Sequence, residues 1–144
     1  MRTVFVHLRN AAEDQVEDFL GRAYPLQEGP PWICAVEGDP CLYIQMYREL
    51  AREAAREELA GLRKSLGDGP TVSVIAEVSG RHAGDLQVRD FVSKLLSEFE
   101  GLAKDDYTEG FWTIDEIHSE RRKPSSLKHG EPIYFFSGYQ RPSE

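Results

Sequence analysis

The spacing of apolar residues along this chain changes several times, and each change predicts an element. Val4, Val6 and Leu8 alternate with Thr3, Phe5 and His7, which predicts a strand over about 3–9. Asn10 then opens an Asn-x-x-Glu capping-box pattern with Glu13, and Val16, Phe19, Leu20 and Ala23 follow at helical spacing, so a helix is expected over 11–23. After "PLQEGPP", two strands at 32–37 and 41–46 surround "GDP" and read as a hairpin. From Tyr47 onward Ala51, Ala55, Leu59, Leu62 and Leu66 form one apolar stripe, the mark of a helix. Glu49–Arg52 and Glu53–Arg56 are i, i+3 pairs on its wet side, and "GDGP" ends it.

In the second half, "TVSVIAEV" alternates as a strand. Val88, Phe91, Val92, Leu95, Leu96, Phe99 and Leu102 define the broad buried face of a further helix, with Asp85 as its cap. Gly101 followed by Leu102 fits a Schellman stop. That placement makes "AKDDYTEGFW", residues 103–112, a loop leaving a helix C-terminus, where the dipole disfavours carboxylates unless a cation or a basic partner is near. Thr113-x-x-Glu116 is a second capping box and predicts a short helix near 114–118, after a brief extended segment at Phe111 and Trp112. "SERRKPSSLKHGEP" reads as a long surface loop and "IYFFSGY" as a last strand. The resulting order, βαββαβαβ, predicts a single α+β domain over 1–144: a two-layer sandwich with helices on one face of a mostly antiparallel sheet. Its first six elements match a ferredoxin-like order.

Composition narrows the function classes. The net charge of −8 is uneven: about −4 over residues 1–70, −6 over 71–118 and +2 over 119–144. An acidic body repels phosphate backbones and attracts a basic protein, so no nucleic-acid partner is expected. No apolar run approaches the roughly 18 to 20 residues needed to span a bilayer, and the N-terminus reads as a strand rather than a signal peptide, so a cytoplasmic protein without membrane association is expected. Cys34 and Cys41 are read as two small hydrophobes of the hairpin, not as a disulfide.

Catalytic and metal motifs fail in turn. His7, His82, His118 and His129 lie in separate elements without zinc spacing, and Asp105, Asp106 and Glu109 lack the EF-hand order, so no metal, cofactor or catalytic residue is assigned. "SGRHAGD" lacks both the P-loop lysine and the G-x-G-x-x-G order, but Arg81 and His82 there are candidates to hold an anion. An acidic segment beside aromatic side chains remains. Asp105, Asp106, Tyr107, Glu109, Trp112, Asp115 and Glu116 are therefore the candidate partner-binding residues, combining charge with aromatic anchors.

The residues "VSGRHAGDLQVRDFVSKLLSEFEGLAKDDYTEGFWTIDEI", with "GEPIYFFSGY" further on, resemble a segment of small bacterial immunity proteins of contact-dependent or polymorphic toxin systems, over roughly residues 72–139. That resemblance implies a non-enzymatic protein that binds a toxin domain and blocks it. The alternative expectation is a small-molecule-binding or enzymatic domain with a pocket between sheet and helices near His7, Tyr43 and His82. A third is a regulatory subunit dimerising through sheet edges.

Overall fold

A computed structural model of the chain describes residues 2–54, 56–67, 70–127 and 130–137. The fold is α+β, built on a five-stranded antiparallel sheet of β1 (Thr3–Arg9), β2 (Trp32–Val36), β3 (Asp39–Met46), β4 (Val72–Val78) and β5 (Glu100–Asp105), in the order β2-β3-β4-β1-β5. The helices are α1 (Glu13–Ala23), α2 (Leu50–Glu53), α3 (Arg56–Leu66), α4 (Asp85–Glu98) and α5 (Ile114–His118). A small separate ladder joins β6 (Lys123–Pro124) to β7 (Pro132–Ile133). Among the described residues no helix is long and apolar enough to cross a membrane.

Strand alternation divides the sheet into two unlike faces. On the first, the cross-strand rows Val4–Ala76, Val6–Val74 and Leu8–Val72 are apolar throughout. Val16 and Leu20 of α1 and Val88, Phe91, Val92 and Leu95 of α4 close over them as one continuous core. The second face carries Phe5, His7, Ser73 and Ile75 in the middle of the sheet and Leu102 on β5. α3 covers part of this face through a small cluster of Leu62, Leu66 and Leu102, with Leu50 of α2 and Phe111 packed against it. Helices thus lie on both faces, which corrects the two-layer expectation. β3 pairs with β4 rather than β1, so the hairpin is not placed as a ferredoxin-like core would place it.

Several boundaries move for physical reasons. The hairpin turns at Glu37–Gly38, both with positive φ (51° and 81°), the two-residue geometry that suits strand twist, rather than at "GDP". Asn10 has φ 57° and does not cap α1. The helix starts two residues later, with the Gln15 side chain reaching back to accept the Ala12 N–H at 3.1 Å. The expected long helix after Tyr47 is broken where Ala54 turns extended, giving α2 and α3; Ala55 of the stripe and the 68–69 part of its stop lie outside the described residues. Gly84, not Asp85, is the N-cap of α4.

The largest departure is at Gly101. The chain leaves α4 at Phe99 and forms β5, an edge strand paired with β1. A Cβ on Gly101 would sit 2.3 Å from the His7 carbonyl oxygen, so glycine is required there by the close approach of two strands, not by a helix stop. At the other end, the expected strand "IYFFSGY" stops at Ile133 and the chain turns at Phe135–Phe136; residues 138 and 139 of that stretch lie outside the described residues, as does His129.

Candidate functional site

β5 decides the fate of the acidic segment. In register with β1, Val4 faces Asp105 and Val6 faces Ala103, so Asp105 points to the apolar, helix-covered side of the sheet. A carboxylate there must be neutralised and fully hydrogen-bonded. Arg2, at the start of β1, donates from Nη2 to both Asp105 oxygens at 3.0 Å. The N–H groups of Tyr107 (3.0 Å) and Phe136 (2.8 Å) complete the coordination. The guanidinium lies between the Tyr107 ring at 3.8 Å and the Phe136 ring at 3.9 Å, a cation–π contact on each face. Arg2 also donates from Nε to Asp106 Oδ1 at 3.3 Å, while Asp106 Oδ2 accepts the Thr3 N–H at 3.1 Å. Burial pushes the Asp106 carboxyl above its ordinary range, and the neighbouring Asp105 adds to that.

Asp105 and Trp112, expected on a gripping surface, are therefore both fully buried. Trp112 exchanges both backbone hydrogen bonds with Ala103 (2.9 and 2.8 Å), donates from Nε1 to Thr108 Oγ1 at 2.8 Å and packs edge-on against Phe135. Tyr107 is half-buried with a face given to Arg2. The predicted capping box holds: Thr113 Oγ1 accepts the Glu116 N–H at 3.1 Å, and Glu116 Oε1 accepts the Thr113 N–H at 3.0 Å. Burial works to raise the Glu116 carboxyl, but the Thr113 N–H, Lys123 and Arg121 outweigh it and hold it below its usual range. Only Glu109 and Asp115 of the seven face solvent freely; Asp106 retains about a third of its side-chain exposure.

Arg81 and His82, expected to hold an anion, are both engaged with Asp39 of the protein itself. Asp39, at the start of β3, accepts from Arg81 Nη1 at 2.9 Å and sits 2.8 Å from His82 Nε2, contacts that keep its carboxyl below the usual range, His82 foremost. His7, Tyr43 and His82 are not brought together: His7 lies beneath Phe111 in mid-sheet, Tyr43 stands two rows away opposite Glu77, and His82 follows the far end of β4. His7 is 1% exposed. Its Nδ1 is 2.8 Å from Ser73 Oγ, and Nε2 has no partner among the described residues. Burial, assisted by the Lys104 charge, lowers its pKa to about 4, so the ring is neutral.

Beside α3 the second face leaves open space. Between α3 and the β5–Thr113 segment runs a groove of about 820 Å³. Leu102, Phe111 and Gly61 form its apolar part; Glu57, Glu58 and Glu109 stand along it, with Lys64 and Lys104 as the cations. A Cβ on Gly61 would come 3.5 Å from Phe111 Cε2, so the missing side chain is what keeps the groove wide there. Sequence reasoning singled out Glu109 but gave no role to Glu57 or Glu58, which no motif marks.

Among the described residues, no cluster of three or more His, Cys, Asp or Glu side chains is arranged to hold a metal ion. Burial raises the Cys41 thiol to about 11 and raises Cys34 as well, so neither is a thiolate at neutral pH. Compared with known proteins, the chain matches no family model, no curated protein and no solved structure.

Proposed function

We propose that this protein is a non-enzymatic binding module that grips a basic protein through the groove between α3 and β5. The observation that carries this reading is the juxtaposition of an apolar floor, Leu102 and Phe111, with three carboxylates, Glu57, Glu58 and Glu109. A partner presenting one large apolar side chain flanked by lysine or arginine fits that chemistry: burial of the apolar group supplies most of the affinity, and the carboxylates steer the encounter. The net charge of −8 favours the same class of partner. In its finer form the reading is an immunity-type inhibitor whose partner is a toxin domain, supported by the resemblance of residues 72–139. The acidic and aromatic surface so proposed keeps Glu109, gains Glu57, Glu58 and Phe111, and loses Asp105 and Trp112 to the interior.

The test places a photo-crosslinking residue at Lys64, in the groove, and separately at Asp14 on α1. A basic protein should be captured from position 64 and not from position 14, and Gly61→Trp should abolish the adduct by filling the groove. Equal capture from both positions, or an adduct insensitive to Gly61→Trp, contradicts the reading. Co-expression that relieves the toxicity of the captured partner then separates the immunity-type form from other binding modules. A second reading, a small-molecule site, is favoured by the groove's size, which lies within the roughly 300–1,000 Å³ of such pockets. A thermal shift on exposure to metabolites, without protein capture, would select it.

A further inference from the structure

The groove between α3 and β5 has two unlike ends. Glu57, Glu58, Gly61, Lys64 and Ser65 all line it, and their i, i+1, i+4, i+7, i+8 spacing is one face of α3. Acids therefore stand at the first turn of that face and a lysine at the last, about 10 Å away at the helical rise of about 1.5 Å per residue, with Gly61 and Phe111 between them. The opposite wall keeps the same order. Arg9 Nη1 donates to the Leu66 carbonyl at 3.0 Å, and Arg9 pairs with Glu100 in the β1–β5 register, so the C-terminal end of α3 lies by the start of β5. Trp112 bridges Ala103 in the antiparallel sense, which places Glu109 toward the end of β5, beside the first turn of α3, and Thr113 toward its start.

The charged groups described around each end preserve the contrast. At the first, Glu57, Glu58 and Glu109 outnumber Lys104 and the neighbouring Arg56, and Lys104 Nζ is turned to the Thr108 carbonyl at 3.4 Å. At the second, Lys64, Arg63 and Arg9 outnumber Glu100, while beyond Thr113 the carboxylates of Asp115 and Glu116 are matched by Arg121 and Lys123. The α3 macrodipole, about half a charge at each end, lowers the contrast without reversing it.

The walls also decide the form of the occupant. The Ala103 N–H and C=O that point away from β1 are both taken by Trp112 (2.8 to 2.9 Å), so the outer edge of β5 cannot accept an added strand there. A helix needs no edge. The groove's volume of about 820 Å³ is that of roughly two turns of helix, taken as a cylinder about 10 Å across.

We infer that the groove takes an amphipathic helix of the partner, laid antiparallel to α3. An acid near the N-terminus of that helix stands beside Lys64, a large apolar residue three or four positions on sits over Gly61 and Phe111, and a lysine or arginine at i+7 meets Glu57, Glu58 and Glu109. The inference rests on the groove being the gripping surface. Acid first and base last is the order that suits a helix's own dipole, and two antiparallel dipoles attract, so the groove selects a helix in its favoured charge order.

Two stapled helical peptides of one composition are the probes. One carries glutamate, phenylalanine and arginine at i, i+3 and i+7; the other carries arginine, phenylalanine and glutamate at the same positions. Titrated by NMR against the full chain at low salt, the first should saturate with a dissociation constant on the order of 1 mM, and the second should bind at least about fivefold more weakly. A spin label on the N-terminus of the first peptide should broaden the Lys64 and Ser65 amides more than those of Glu57 and Glu58. The triple variant Glu57→Gln, Glu58→Gln, Lys64→Gln, with its β1 and β5 amide signals unmoved, should bring the two peptides within about twofold of each other. Equal affinity for the unaltered protein, broadening greatest at Glu57 and Glu58, or saturation by neither peptide would each overturn the inference. The groove reading is judged separately, by protein capture from position 64.

Discussion

Asp105 and Glu109 are four residues apart, carry the same charge and have opposite fates. Asp105 faces the core side of β5, opposite Val4, and is stable there because Arg2 and two backbone N–H groups meet it. Glu109 lies beyond the strand, past the turn, and stands on the rim of an open groove. The difference teaches that an acidic run is not one feature. Strand alternation and the reach of a single arginine sort its members into a structural hub and a solvated rim, and only the rim can meet a partner.

The comparison breaks hardest at the hub. Asp105→Ala leaves Arg2 buried without its main counter-charge and strips the Phe136 and Tyr107 N–H groups of their acceptor, and the expected loss is about 3–5 kcal/mol in urea unfolding. A loss under about 1 kcal/mol would mean that Asp105 is not internal. The equivalent change on the rim, Glu109→Ala, should stay within about 0.5 kcal/mol.

Next in size is a pH effect from the sheet's second face. His7 titrates near 4 in the folded protein against an ordinary 6.5, so the unfolded chain binds the extra proton first as pH falls. Its contribution is fully present above about pH 6.5 and lost on acidification to about pH 4, worth roughly 3 kcal/mol at most. On going from pH 7 to 4 the unfolding free energy of the protein should fall by that much more than that of His7→Phe, and parallel curves would contradict a neutral buried ring. Smaller still, Thr113→Ala removes one half of a capping box and should cost about 1 kcal/mol, with Glu116 still held by Lys123 at 3.0 Å. A cost near zero would show that the salt bridge alone fixes the start of α5.

The smallest stability effect belongs to the groove. Replacing Glu57, Glu58 and Glu109 together by glutamine should leave stability within about 0.5 kcal/mol, lower partner affinity roughly tenfold at low salt and flatten its salt dependence. Unchanged affinity and salt slope would remove the carboxylates from the interface.

How much of this was legible follows the kind of signal each residue carries. Regular alternation placed β1 and β4, helical spacing placed α1 and α4, and the threonine–glutamate box placed α5, because each is a local pattern with a local cause. β5 was hidden because its glycine and its apolar residues also fit the end of a helix, and only the neighbouring His7 carbonyl explains Gly101. Arg2 and Asp105 are separated by more than a hundred residues, so no local pattern could join them. Without that pairing, Asp105 and Asp106 read as exposed. Trp112 could be read either way until the bridge to Ala103 fixed it inside. The groove lies between α3 and the β5–Thr113 segment, two stretches far apart in the chain, which a hydrophobic stripe does not reveal.

The claim that the open side of α3 is the working surface is tested most directly by the affinity of the crosslinked partner for Gly61→Trp, measured beside Tm. An indole at position 61 would stand against Phe111 and fill the groove while leaving the Arg2–Asp105 hub untouched. A dissociation constant raised at least about a hundredfold, near 2.7 kcal/mol, with Tm unchanged, is the predicted result. Affinity within about twofold of the unaltered protein would contradict it.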